Sequence, residues 1–263
     1  GFVDVKMVGK LGSKTLAATS IGSMVVWTIM SFSIGLLTET QIISSRRLGQ
    51  KKHNVCGVAL RNGILLFFCY GLPVSVLGYV FTNHIAQALL IDIQVITFTR
   101  DYISIAFLGV LFSSTCFVFQ GFYTGVEKTK IHMKVTITSN MLNIYLNAGF
   151  IYGSVGVESF FNNLNLPFLS HAWTVFNFPA LGVRGAAVAT VIASIFMMLF
   201  YFIMLFDKEI KNTFDVFSRH LNRATLFRQI KLAIPQGAQE LFTMSGYVDR
   251  KSTRLNSSHA LRP

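Results

Sequence analysis

The chain has 263 residues with 23 Lys and Arg against 11 Asp and Glu, a net charge of +12, yet only 13% of it is charged and 52% is hydrophobic. An ordinary soluble domain carries about 25% charge, and 25 Phe, 9 Met and a mean hydropathy of +0.54 exceed what one globular core of this length buries, so most of this apolar surface faces lipid. This argues against a soluble enzyme, a disordered chain and a disulfide scaffold, the last because Cys56, Cys69 and Cys116 are odd in number and fall in apolar stretches as small core residues.

The expected fold class is all-α, a polytopic membrane protein. A hydrocarbon core of roughly 30 Å needs about 20 helical residues, and windows of that length mark seven apolar segments. The first is a stub at 1–9; the next run 16–43, 55–82, 97–125, 133–153 and 180–206, and a seventh starts near 230. Gly35, Pro73 and Gly109 inside them are tolerable because neighbouring helices satisfy freed backbone groups. Between the third and fourth, Asn83–Gln94 alternates polar with apolar residues and is expected to lie along the membrane interface. The chain opens at Gly1 inside an apolar segment, without Met or a signal-peptide n-region, and so reads as a fragment lacking its true N-terminus.

Lys and Arg alternate between the gaps. Those after the second, fourth and sixth segments hold thirteen: Arg46, Arg47, Lys51, Lys52, Lys128, Lys130, Lys134, Lys208, Lys211, Arg219, Arg223, Arg228 and Lys231. The opposite gaps hold Lys10, Lys14, Arg100 and Arg184. The positive-inside rule puts the richer gaps in the cytoplasm, in a multi-pass protein of a cytoplasmic (inner) or plasma membrane. The same distribution leaves no clustered basic face for nucleic acid. Residues 154–179 mix aromatics with Asn and Gly, and suggest an external loop with an interfacial hairpin or short helix. The last fourteen residues, RKSTRLNSSHALRP, turn abruptly polar and basic and look like vector read-through. The expected division is a first lobe at 1–206, a cytoplasmic inter-lobe loop at 207–229, the start of a second lobe at 230–249 and a foreign tail at 250–263.

Several short motifs occur in a set order. Phe2-Val3-Asp4 with Met7-Val8-Gly9 and Leu16-Ala17-Ala18 comes first, then Arg46-Arg47-Leu48-Gly49. Gly121-Phe122 with Gly125 and Thr129-Lys130 follows, then Asn143, Asn147 and Gly153, and finally Leu181-Gly182-Val183 with Gly185-Ala186-Ala187 and Ala189-Thr190. Each string alone is ordinary helix packing; their order over residues 2–249 resembles the multidrug and toxic compound extrusion (MATE) family of secondary transporters. The resemblance implies a twelve-helix antiporter of two six-helix lobes that exports amphipathic, often cationic, compounds in exchange for H+ or Na+. This chain would supply the N-terminal lobe and the start of a seventh helix. Its partners would be the bilayer, a small-molecule substrate and the missing C-terminal lobe, with no cofactor beyond the coupling ion.

An Asp within an apolar segment costs about 2.5–3.5 kcal/mol on insertion scales and faces a cavity or a partner. Asp4 is such a residue, and the resemblance makes it the coupling carboxylate of the N-lobe. Asn140, Asn143 and Asn147, at i, i+3 and i+7, share one helical face and leave the opposite face for lipid. The resemblance gives Asn143 and Asn147 roles beside Asp4, against plain interhelical hydrogen bonding. Some family members carry Asp where Asn147 stands, which leaves this site with one carboxylate and favours H+ over Na+; with Na+, Asp4 and Asn143 would be its ligands. Thr190 either adds a hydroxyl or bonds back to its own helix. Glu240, five residues after Pro235, resembles an acidic residue at the start of the family's seventh helix that attracts cationic substrate. Glu39 is expected to pair with Arg46.

Nothing in the sequence supports enzyme chemistry. His53, His132 and His220 fall in basic loops and His259 in the tail, without metal-ligand spacing, and there is no Gly-x-x-x-x-Gly-Lys phosphate loop. Two alternatives are a lipid-linked oligosaccharide flippase of the same superfamily, which would place arginine deep in a central cavity, and a seven-helix receptor, which the incomplete seventh segment disfavours.

Overall fold

The computed structural model describes residues 2–163, 167–218 and 222–260. Its helices are α1 (Phe2–Gly9), α2 (Ser13–Gly49), α3 (His53–Leu89), α4 (Ile93–Gly125), α5 (Thr129–Asn163), α6 (Pro167–Thr174), α7 (Val183–Met204), α8 (Lys208–Phe214) and α9 (Arg223–Ala260). The described residues contain no strand, as expected where lipid obliges each segment to satisfy its own backbone. By length and composition α2, α3, α4 and α7 can cross a membrane. α5 and α9, counted as spans from the sequence, fall short of that apolarity: Lys130, Lys134 and the asparagines dilute α5, and Lys231, Gln236, Gln239 and Glu240 dilute α9.

α4 lies at the centre, packed on α2, α3 and α7, with α5 on the far side of α7. α9 lies along α2 and α3, while short α1 fills the groove between α2, α5 and α7. Two cores stack along the bundle. One joins Val8, Ala18, Ile21, Tyr102, Phe107, Ile151 and Ala186; the other joins Leu36, Leu60, Phe67, Phe119, Tyr123, Tyr201 and Phe214. α3 turns Leu72, Val76, Tyr79 and Val80 outward, each more than half exposed, a lipid-facing stripe that also carries Cys69; only Cys56 and Cys116 are core thiols.

The two ends differ in charge. At one, Lys128 Nζ meets Glu209 Oε1 at 2.5 Å, Asn62 Nδ2 donates to the Asn222 carbonyl at 3.1 Å and Arg61 donates to the Asp215 carbonyl. At the other, Lys14 pairs with Asp92 at 3.1 Å and Arg184 with Asp101 at 3.1 Å. The Asp92 carboxyl, which caps α4 by accepting from the amides of Gln94 and Val95, is held below the usual carboxylate range by the Val95 N–H and then by the Lys14 ammonium. The three Lys- and Arg-rich gaps therefore share one end, as the alternation of spans requires.

Three boundaries depart from the sequence reading. Residues 83–94 form no separate interfacial segment: α3 continues to Leu89 and Asp92 already caps α4. The inward positions are Thr82, Ala86 and Leu90, all buried at a spacing of four, a helical repeat hidden inside the apparent alternation. The 207–229 loop folds into α8, capped by Asp207, and α9 begins at Arg223 instead of near 230. His53 and His132 open α3 and α5 rather than occupying loops, and His132 stacks on Tyr201 with Nδ1 2.5 Å from its hydroxyl. His220, Arg219, residues 261–263 and the side chains of 251–260 lie outside what is described, and with them most of the supposed foreign tail; the backbone of α9 reaches Ala260.

The expected short helix in 154–179 is present as a hairpin. Gly153 has φ 73°, outside the helical region, and kinks α5 there. Ser154 then accepts from the Phe178 amide at 2.7 Å and donates to the Trp173 carbonyl at 2.8 Å, and Trp173 Nε1 donates to the Tyr145 carbonyl at 2.8 Å. Just beyond, α7 crosses α5 at Gly185, where an added Cβ would fall 2.2 Å from the Phe150 carbonyl oxygen. Backbone cannot yield cheaply, so Gly185→Ala should destabilise the protein by about 1–3 kcal/mol. Gly246→Ala, with nothing within 4 Å, should be neutral or stabilising by up to about 1 kcal/mol. Thermal unfolding of the two variants in detergent checks the contrast.

Candidate cation-coupling site

α1 runs parallel to the second half of α5. Asp4 sits beside Asn147, the Met7 carbonyl accepts from Tyr152 at 2.6 Å, and Lys10 lies 5.2 Å over the Phe160 ring. The Gly185 crossing holds α7 against the same stretch of α5, and these contacts converge on Asp4, which is 1% exposed. Asn147 Nδ2 donates to Asp4 Oδ1 at 2.6 Å and lies 3.0 Å from Asn143 Oδ1. Thr190 Oγ1 is 3.5 Å from Asp4 Oδ2 and 2.9 Å from the Ala186 carbonyl. A hydroxyl has one hydrogen, and the shorter distance gives it to Ala186, so an oxygen lone pair is turned toward the carboxyl. The two options for Thr190 are thus realised together.

Asp4, Asn143, Asn147 and Thr190 come together from three helices. Asn147 is buried and Asn143 half-buried, but Asn140 is exposed, because it lies two turns before the level at which α1 begins to cover α5. The exposed apolar residues of α5, Met133, Ile137, Met141 and Ile144, flank the asparagine stripe instead of opposing it, Met133 being seven residues from Asn140 on the same face, while Val135, Ser139, Leu146 and Gly149 on the far side are buried. Glu240 is not part of the cluster: it is half-buried on α9, which packs on α2 and α3. Nor does Glu39 pair with Arg46. It is 1% exposed on α2, and the cation that acts on it is Arg228 of α9. Tyr102 of α4, fully enclosed and within electrostatic reach of Asp4, was not singled out from the sequence. Its one signal there is a place on the buried Thr99–Ile103 face of α4.

The cluster can hold a carboxyl group in a dry, hydrogen-bonded setting, with oxygens of Asn143, Asn147 and Thr190 at hand for a proton or a small cation. Asn147 Oδ1 is buried without a hydrogen-bond partner, an acceptor not yet used. Among the described residues no three His, Cys, Asp or Glu side chains group as a metal cage.

Residues 1–148 match the MatE family. Two relatives, each described as "Probable multidrug resistance protein NorM", are 28% identical over 242 residues in Pasteurella multocida and 25% identical over 247 residues in Bacillus cereus. The alignments cover 89% and 93% of this chain but 47% and 50% of those proteins, so the chain spans about half the length of the relatives it matches. The fold is similar to an inward-facing multidrug resistance MATE family transporter of the MOP superfamily, with TM-score 0.71 and 19% identity over 92% of this chain and 50% of that one. It is also similar to the eukaryotic MATE transporter AtDTX14, with TM-score 0.72 and 16% identity over 92% and 49%. The match disposes of the seven-helix receptor. With the family's helical bundle reproduced across nine-tenths of its length, this chain is a membrane-embedded member of the MATE family of transporters.

Proposed function

We propose that the chain is the N-terminal lobe, with the first helix of the second, of a secondary antiporter that exports amphipathic or cationic drug-like compounds in exchange for H+ or Na+. The observation that carries this reading is Asp4: a carboxyl 1% exposed between helices and hydrogen-bonded to Asn147 is a costly group to keep in a membrane bundle, and binding and releasing a cation is the function that cost supports. The two relatives described as probable multidrug resistance proteins supply the substrate class. The basic end faces the cytoplasm of an inner or plasma membrane, and a C-terminal lobe completes the pathway, since parallel-repeat transporters bind at the repeat interface. In the full-length protein Asp4→Asn, nearly isosteric, should preserve expression and folding while reducing gradient-driven efflux to background. Normal efflux by that variant would remove Asp4 from the mechanism.

The arrangement favours H+. Asp4 Oδ1 already accepts an N–H, and Oδ2 faces a hydroxyl whose hydrogen is engaged elsewhere, so a proton on Oδ2 would find an acceptor in Thr190. A Na+ site would gain from a second carboxylate, which Asn147 does not provide. Asn147→Asp should therefore strengthen the Na+ dependence of efflux. Collapse of wild-type efflux on removing Na+ at a fixed proton gradient would reverse the choice of ion. For orientation, a single cysteine at Phe217, 41% exposed in the basic-end loop, should react with an impermeant maleimide from the cytoplasmic side only.

A further inference from the structure

A second acidic residue is buried in this half of the molecule, remote from α1 and α5. Glu39 is 1% exposed, and neither carboxyl oxygen has a hydrogen-bond partner. It stands one helical turn beyond Gly35, hence on the same face of α2. That face abuts α9 so closely that a Cβ on Gly35 would lie 2.5 Å from the Ala233 carbonyl oxygen and 2.8 Å from the Gly237 nitrogen. The two helices meet backbone to backbone there, and Glu39 looks into the seam.

Its surroundings are polar but short of donors. Thr40, next in sequence, gives its hydroxyl to the Leu36 carbonyl at 2.8 Å. Gln229 of α9, fully buried, donates to the Ala59 carbonyl at 3.0 Å and keeps Oε1 unpartnered. The other titratable groups near this level are engaged or exposed. From α3, the Cys56 thiol donates to the Ser44 carbonyl and Arg61 to the Asp215 carbonyl. From α4, the Tyr123 hydroxyl donates to the Tyr201 carbonyl. On α2 itself, Arg46 is exposed and Arg47 donates to Gln50; on α9, Lys231 is exposed. Arg228 remains as the cation acting on Glu39, exposed on the same helix that closes the seam.

An ionised carboxylate enclosed without a donor is among the costliest arrangements a protein can hold. Two states relieve it: the neutral acid, or a carboxylate met by Arg228. A small cleft lined by Ile42, Ile43, Arg46, Thr225, Arg228 and Leu232 opens at the basic end, with Ile43 one turn along α2 from Glu39. We propose that Glu39 is a second proton-binding site, independent of Asp4, which takes up a proton and, on releasing it, is held as a carboxylate by Arg228. The step moves one proton between solution and one carboxyl oxygen; no other bond changes. Because Arg228 belongs to α9, the occupancy of this site sets how tightly α9 is held to α2.

The test is pH-difference infrared spectroscopy of the full-length protein in lipid nanodiscs, following the carboxylic C=O stretch between about pH 4 and about pH 10. Two buried-acid bands are expected. Asp4→Asn should remove one and leave the other, and Glu39→Gln should do the converse, so the two sites fail separately. Arg228→Met, at an exposed position that does not challenge folding, should raise the midpoint of the Glu39 band by about one pH unit, since removing a cation favours the neutral acid. Na+ at fixed pH should leave that band unchanged. The proposal is overturned if Glu39→Gln and wild type give superimposable spectra, if Arg228→Met leaves the midpoint in place, or if Na+ displaces the band, which would make the site one for metal cations.

Discussion

The hydrogen bond from Asn147 to Asp4 governs how the outer half of the molecule is assembled. A carboxylate among apolar side chains has to be answered by a donor, and bringing α5 against α1 delivers one from Asn147. Once they are joined, Met7 meets Tyr152 and Lys10 meets Phe160, so α1 is aligned along α5. The Gly185 crossing then seats α7 and adds Thr190 from a third direction. The polar site and the local packing are one construction: weakening either loosens the other.

The lower half follows another logic. There the core is aromatic, with Phe119, Tyr123 and Tyr201 stacked at 5.6–5.7 Å and His132 closing the stack beyond Tyr201. Hydroxyls at this level bond to carbonyls and the His ring, as Tyr123 to the Tyr201 backbone and Tyr201 to His132. α8, with Ile210 and Phe214 buried, caps the aromatic core and separates it from the basic end.

Much of this was legible in the sequence because membrane helices are read one at a time. Apolar windows located α4, α7 and the end of the fifth segment at Gly153, and an isolated Asp with asparagines at helical spacing pointed to side chains that do cluster, Asp4 with Asn143 and Asn147. What escaped notice depends on register between distant segments. The Asn83–Gln94 stretch has polar positions on both faces, and only contact with the core distinguishes Thr82, Ala86 and Leu90 as inward. Glu39 has Arg46 seven residues away on its own helix, yet its cation comes from residue 228, because Gly35 draws α9 onto that face. Tyr102 offers no local pattern that separates it from other aromatic core residues.

The path of α9 bears on mechanics. The break in the chain between bundle and following helix is the α8 region, but the break in packing comes later: α9 is clamped through Gln229, Ala233 and Gly237, whereas Phe242 and Tyr247 stand 73% and 55% exposed. Pro235 sits inside this clamp, between Ala233 and Gly237; it has no N–H for the Lys231 carbonyl, and the close contacts of Ala233 and Gly237 with α2 hold the helix across that gap in its ladder. A rigid body drawn through the described residues would therefore include α9 as far as Gly237, proline and all, together with α2 and α3 on which it packs.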